Sequence, residues 1–223
     1  MKKRYRAVLF DLDGTLLDSA EGILDATRYT LTHYGHEIPE EGVLRRFIGP
    51  PVQEGFRQYL SLDPSCAMRY ADTFRAYYRA HALFLARPFS GVCHMLDALR
   101  TDGVHLAVAT YKREDYAREL LVHFDLARRF DVIRGADVAG RFDKTEIMRR
   151  ALDELDVPFG EDVLMVGDSV HDARGASELG VDFLGVTYGY GFQEPGEVYR
   201  AGGVAVAARP LDVLKALGVE VRA

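Results

Sequence analysis

Ala7-Val8-Leu9-Phe10-Asp11-Leu12-Asp13-Gly14-Thr15 is the stretch on which the reading of the fold turns. A short continuous apolar run that stops at a charged residue reads as a strand covered on both faces, as strands of parallel sheets are. Asp11 and Asp13 then fall at the carboxyl end of that strand, where open parallel sheets form their ligand crevice. With a glycine following, two carboxylates at this spacing can converge on one site. A calcium loop would need glycine at its sixth position, glutamate at its twelfth and helices on both sides. Counted from Asp11, Gly14 is fourth, Gly22 is twelfth, and a strand precedes, so that alternative is excluded.

Working outward, similar apolar runs occupy 105–110, 163–167 and 183–186. Between them, Ala117, Leu120, Leu121 and Phe124, and later Ile147, Ala151 and Leu155, recur at helical spacing. Strands alternating with helices predict an α/β fold with a parallel sheet covered on both sides. The rhythm breaks over 17–87, where Ile23, Ala26, Thr27, Thr30, Leu31 and Tyr34 make one helical stripe, with Asp18 or Ser19 placed to cap it. Gly49-Pro50-Pro51 interrupts a second helical stretch. Tyr70, Phe74, Tyr77 and Tyr78 read as helix packing rather than a ligand box. Arg87-Pro88-Phe89-Ser90-Gly91 carries the turn residues expected where the chain re-enters the sheet. The expected organisation is a core formed by 1–16 and 88–223, with a helical cap over 17–87.

The first motif has a counterpart in Val166-Gly167-Asp168-Ser169-Val170-His171-Asp172: a strand, a glycine, an aspartate, and a second aspartate on the first turn of a helix, near its positive end. If both strands are central neighbours, Asp11, Asp13, Asp168 and Asp172 share one crevice. Like charges about 4 Å apart repel by about 4 kcal/mol at an effective dielectric near 20. Such a cluster calls for a cation, and hard carboxylate oxygens select Mg²⁺. Thr110 closes the second strand, so its hydroxyl and the following N–H groups, Tyr111 first, can hold a phosphoryl oxygen. Lys144 begins a helix and is placed as counter-ion to the carboxylates.

Taken in order, Asp11-Leu12-Asp13-Gly14-Thr15, Thr110, Lys144 and Gly167-Asp168-Ser169-Val170-His171-Asp172 resemble the haloacid dehalogenase superfamily of phosphohydrolases. Phe47-Ile48-Gly49-Pro50-Pro51 and Gly185-Val186-Thr187-Tyr188-Gly189-Tyr190-Gly191 narrow the resemblance to its phosphoglycolate phosphatase-like and 5′-nucleotidase-like members. The resemblance implies a Rossmann-like core with an inserted α-helical cap. It also implies a Mg²⁺-dependent phosphatase acting on a small phosphate monoester through a phospho-aspartyl intermediate. Asp11 would be nucleophile and metal ligand. Asp13 would be general acid–base, with its carbonyl on the metal. Thr110, Tyr111 and Lys144 would bind phosphate. Asp168 would be a further metal ligand, and Asp172 would support the metal or orient Lys144. Tyr111 stands where members often carry a small polar residue, which narrows the site. Substrate choice falls to the cap, where Arg45, Arg46 and Gln53 flank the Gly-Pro-Pro turn.

Within the superfamily, a sugar phosphomutase shares these core residues and stays open. A dehalogenase would have no use for Asp13, and a phosphonatase needs a cap lysine, whereas no lysine occurs between Lys3 and Lys112. A receiver-type phospho-aspartate module lacks a large insert after its first strand. The 223 residues carry a net charge of −6 with Lys and Arg scattered, which argues against a nucleic-acid polymer or a membrane surface as partner. The partner expected is a small phosphorylated metabolite, with the chain itself a monomer or homodimer. Cys66 and Cys93 have no metal-ligand spacing. The basic start is followed by too short an apolar run for a signal peptide, so a cytoplasmic location is expected.

Overall fold

A computed structural model of the chain describes residues 5–138 and 140–219. The basic start at 1–4 and Ala139, in the loop ahead of Lys144, lie outside the described residues. Two compact units emerge: Met1–Asp18 with Pro88–Ala223, and Ser19–Arg87.

The first unit is built on a six-stranded sheet. Its strands are β1 (Ala7–Phe10), β2 (His105–Arg113), β3 (Val132–Ala136), β4 (Val163–Gly167), β5 (Asp182–Val186) and β6 (Ala205–Ala207), in the spatial order β3-β2-β1-β4-β5-β6. Every pairing is parallel. This is the doubly wound, Rossmann-like order, whose direction of travel reverses between β1 and β4 and leaves a crevice there. The described helices of this unit are α5 (Val92–Thr101), α6 (Glu114–His123), α7 (Lys144–Leu155), α8 (Val170–Leu179), α9 (Pro195–Arg200) and α10 (Pro210–Leu217), once the four of the other unit are numbered α1 to α4.

Alternate strand residues pack on opposite faces. Ala7, Leu9, Ala107, Ala109, Val163, Met165 and Phe183 join Ile147, Met148, Ala151 and Leu152 of α7, Ala173 and Ala176 of α8, and Val198 of α9 in one core. Val8, Phe10, Leu106, Val108, Leu164, Val166 and Leu184 point the other way and are also buried. Covering both faces explains why these strands are continuously apolar rather than alternating. Two strands escape sequence reading. Arg134 interrupts the apolar run of β3, and β6 has only three residues. A second, two-stranded sheet consists of Leu17–Asp18 and Arg87–Pro88.

The second unit holds α1 (Ala20–His33), α2 (Glu41–Leu44), α3 (Val52–Leu60) and α4 (Pro64–Tyr77), the last running into a π-helical turn at Tyr78–Ala82. The stripe Ile23, Ala26, Thr27, Thr30 and Leu31 is buried. Thr27 and Thr30 hydroxyls donate to the Ile23 and Ala26 carbonyls, each at 2.8 Å, so these polar groups are satisfied inside the helix. Ser19 takes the N-cap position, though its hydroxyl makes no capping bond there. Asp63 does cap α4, accepting from Ser65 and Cys66 N–H, with Pro64 at the first helical position. The aromatics pack on one another: Tyr34 on Tyr70 at 3.8 Å, Tyr29 on Tyr77 at 3.9 Å, and Phe74 on Tyr78 at 5.5 Å between ring centroids. No described helix is long and apolar enough to cross a membrane.

Candidate active site

Register places the acidic motifs side by side. Phe10 pairs with Val108 on β2 and with Val166 on β4, so Asp11 and Asp168 both lie just past the carboxyl edge of the central strands. The Asp11 N–H extends the ladder by donating to the Val166 carbonyl at 2.9 Å. One oxygen each from Asp11, Asp168 and Asp172 lies within 4.8 Å of the other two. Asp172 is the third residue of α8 and is fully enclosed; its Oδ2 accepts from Ser169 N–H at 3.0 Å and Ser169 Oγ at 2.7 Å, as part of a capping box. Lys144 is the first residue of α7, a helix started by Asp143, whose carboxylate accepts the Glu146 N–H at 2.8 Å. From there the Lys144 ammonium reaches Asp11 Oδ1 at 2.6 Å and Asp172 Oδ1 at 2.7 Å.

A loop after β5 closes the far side. Asp168 Oδ2 accepts from the Tyr190 N–H at 2.7 Å and the Gly191 N–H at 3.1 Å. Gly14 is at φ +86°, and a Cβ there would sit 2.3 Å from Asp168 Oδ2. Both the backbone conformation and the close approach therefore require glycine. Tyr188 Oη donates to the Thr15 carbonyl at 2.9 Å, tying the same loop to the chain leaving β1.

Burial governs the electrostatics. Asp168 is pushed up to about 8, first by enclosure and then by Asp11 and Asp172, against the pull of the two loop amides. Enclosure likewise pushes Asp11 up, opposed by Lys144 and reinforced by Asp172 and Asp13. Enclosure alone would lower Lys144, but Asp11 and Asp172 outweigh it and hold the ammonium charged. His171, half-enclosed, is held below the usual histidine value, chiefly by burial.

The Asp13 side chain stands apart from this trio. Both its oxygens accept from Lys112 Nζ, at 3.1 and 2.8 Å. Thr110 is buried at the end of the regular part of β2, and its Oγ1 accepts the Lys112 N–H at 3.2 Å. The Tyr111 ring meets His171 edge to face at 5.3 Å, with Lys144 Nζ 5.8 Å from its centroid. Arg45, Arg46 and Gln53 lie in the helical unit. Arg45 and Arg46 are exposed, with Arg45 3.5 Å from Glu41, while the half-buried Gln53 accepts from Arg75 Nη2 at 3.0 Å. Sequence reasoning gave no role to Lys112 or to the Tyr190 and Gly191 amides. A lysine two residues beyond a strand-end threonine was the available signal for the first. Backbone donors leave no mark on residue type, so the second had none.

These residues suit a divalent cation. Lys144 occupies one oxygen each of Asp11 and Asp172, Ser169 the other of Asp172, and the loop amides one of Asp168. These bonds do not take up Asp11 Oδ2 or Asp168 Oδ1. Once all four are ionised, Asp11, Asp13, Asp168 and Asp172 outweigh the ammonium groups of Lys112 and Lys144, an imbalance that a doubly charged ion offsets. An all-oxygen donor set suits a hard divalent cation of the Mg²⁺, Mn²⁺ or Ca²⁺ kind rather than zinc.

Known proteins resemble this chain over most of its length. The family described as haloacid dehalogenase-like hydrolase matches residues 8–186. The tyrosine-protein kinase PtkA of Mycobacterium tuberculosis (strain H37Rv) is 42% identical over 185 residues, or 82% of this chain. That match spans only 62% of the kinase's own length. A 5′-nucleotidase from Pseudomonas aeruginosa is 39% identical over 192 residues, 86% of each chain. The crystal structure of a predicted phosphatase from Clostridium acetobutylicum superposes with a TM-score of 0.89 at 34% identity, covering 95% of this chain and 97% of that one.

Proposed function

This chain belongs to the haloacid dehalogenase-like hydrolases, and from that premise we propose that it is a Mg²⁺-dependent phosphatase cleaving a small phosphate monoester by way of a phosphorylated Asp11. The observation that carries the reading is the enclosed trio Asp11, Asp168 and Asp172 with Lys144 bridging two of its members. Mg²⁺ held by Asp11, Asp168 and the Asp13 carbonyl would offset the charge of the incoming dianion.

Lys144 orients Asp11 by holding Oδ1, and the Asp11 carboxylate attacks phosphorus. The new Asp11–phosphorus bond forms as the bond to the ester oxygen breaks, and Asp13 gives that oxygen its proton. Water then attacks the phosphorus, returns a proton to Asp13, and releases phosphate and the free Asp11 carboxylate. Thr110 Oγ1 and the Tyr111 N–H hold the phosphoryl oxygens. Because these groups meet only the phosphate, choice of ester falls to the helical unit, with Arg45, Arg46 and Gln53 as its substrate contacts.

The test is steady-state phosphate release from p-nitrophenyl phosphate and from a panel containing phosphoglycolate, 5′-nucleotides and sugar phosphates, with Mg²⁺ or EDTA. Many turnovers with Mg²⁺, loss in EDTA, and loss in Asp11→Asn together with its phosphoryl adduct are expected. ATP-dependent labelling of protein tyrosine without ester hydrolysis would overturn the reading, as would bisphosphate-dependent isomerisation of a sugar phosphate without phosphate release.

A further inference from the structure

Lys112 is enclosed in the core unit and belongs to none of the groups that hold or attack the phosphate. Its ammonium lies 2.8 Å from one oxygen of Asp13 and 3.1 Å from the other. The two side chains are only 7% and 13% exposed. A bulge aims it there. The pairing of β2 with β3 passes directly from Thr110 opposite Gly135 to Arg113 opposite Ala136, so Tyr111 and Lys112 have no counterpart on β3. Such insertions bend a strand and redirect side chains. Gly135 leaves room for it, because a Cβ there would come within 2.5 Å of the Lys112 carbonyl. The Lys112 N–H donates to Thr110 Oγ1, which ties the bulge to the end of the regular ladder.

We propose that Lys112 is a positioning residue for Asp13, an inference that rests on the acid–base role given to Asp13 above. An ammonium that meets both carboxyl oxygens fixes the plane of the group. One oxygen stays on Lys112 while the other carries the proton to the ester oxygen, so the proton is aimed rather than left to a rotating carboxyl. Lys144 does not stand in for it, since its ammonium is engaged by Asp11 and Asp172. Enclosure adds weight: a buried carboxylate stripped of its counter-ion is strongly disfavoured, so the pair holds its place far better than a surface ion pair.

The experiment compares kcat/KM for an alkyl phosphate, whose leaving oxygen needs a proton, with that for p-nitrophenyl phosphate, whose leaving group does not. Lys112→Met should lower the alkyl value by about 10- to 100-fold, within the usual range of general acid catalysis. Its effect on the nitrophenyl ester should be about tenfold smaller or less. Lys112→Arg should restore most of the loss, and on an Asp13→Asn background Lys112→Met should cost little more. Equal losses on both esters would make Lys112 a phosphate-binding group, and no loss on either would make it a bystander; each overturns the proposal while leaving the phosphatase reading intact. If the wild-type chain releases phosphate from neither ester, the phosphatase reading falls, and this inference with it.

Discussion

Asp168 shows most plainly what enclosure does to a single group. Its carboxyl is held to about 8 by burial and by Asp11 and Asp172, whereas an unfolded chain releases the same proton near 4. Between those values the folded, metal-free protein binds a proton that the unfolded chain has lost. Stability is therefore fully present below the unfolded value and falls as pH rises toward 8. The rise in Asp11 acts in the same direction. A divalent ion replaces the proton, so its stabilising effect should grow with pH. Thermal melts in EDTA should show Tm falling from pH 5.5 to 8, and Mg²⁺ should raise Tm more at pH 8 than at pH 5.5. A metal-free Tm that climbs across this range would contradict the assignment of Asp168.

At the scale of elements, α8 does more than cover the sheet. Its third residue, Asp172, is bound on one oxygen by the N-cap Ser169 and on the other by Lys144, the first residue of α7. Two helix starts are thereby locked together at the site. Asp172→Ala removes a cap and one partner of a buried ammonium, while Asp11 keeps its hold on Lys144. The expected loss is about 1–3 kcal/mol, or roughly 2–12 °C in Tm for a chain of this size. Asp172→Asn keeps an oxygen for Ser169 and should melt closer to wild type. If calorimetry finds Asp172→Ala as stable as wild type, the capping box is not holding α8. The β2 bulge works in the same manner. An irregular strand end, not a separate loop, delivers Lys112.

For the whole molecule, the chain leaves and re-enters the core unit through the paired segments Leu17–Asp18 and Arg87–Pro88. Paired strands lie about 4.8 Å apart, so a short Gly/Ser linker can replace Ser19–Arg87. The shortened chain should melt cooperatively and retain p-nitrophenyl phosphate hydrolysis, while losing its ranking among natural esters by kcat/KM. Loss of cooperative melting would show that the core unit needs the insert to fold. Read alone, the sequence determined the alternating α/β plan, buried strands at 7–10, 105–110, 163–167 and 183–186, a helical insert over 17–87, and which aspartates follow strand ends. All of these rest on local patterns, on apolar runs and spacings a few residues long. Only the tertiary structure decided which oxygens Lys144 takes, that Lys112 meets Asp13 across 99 positions of sequence, and that the Tyr190 and Gly191 amides hold Asp168. Those contacts depend on sheet register, a bulge and backbone donors, and residue identity at one position carries no record of what register brings opposite it.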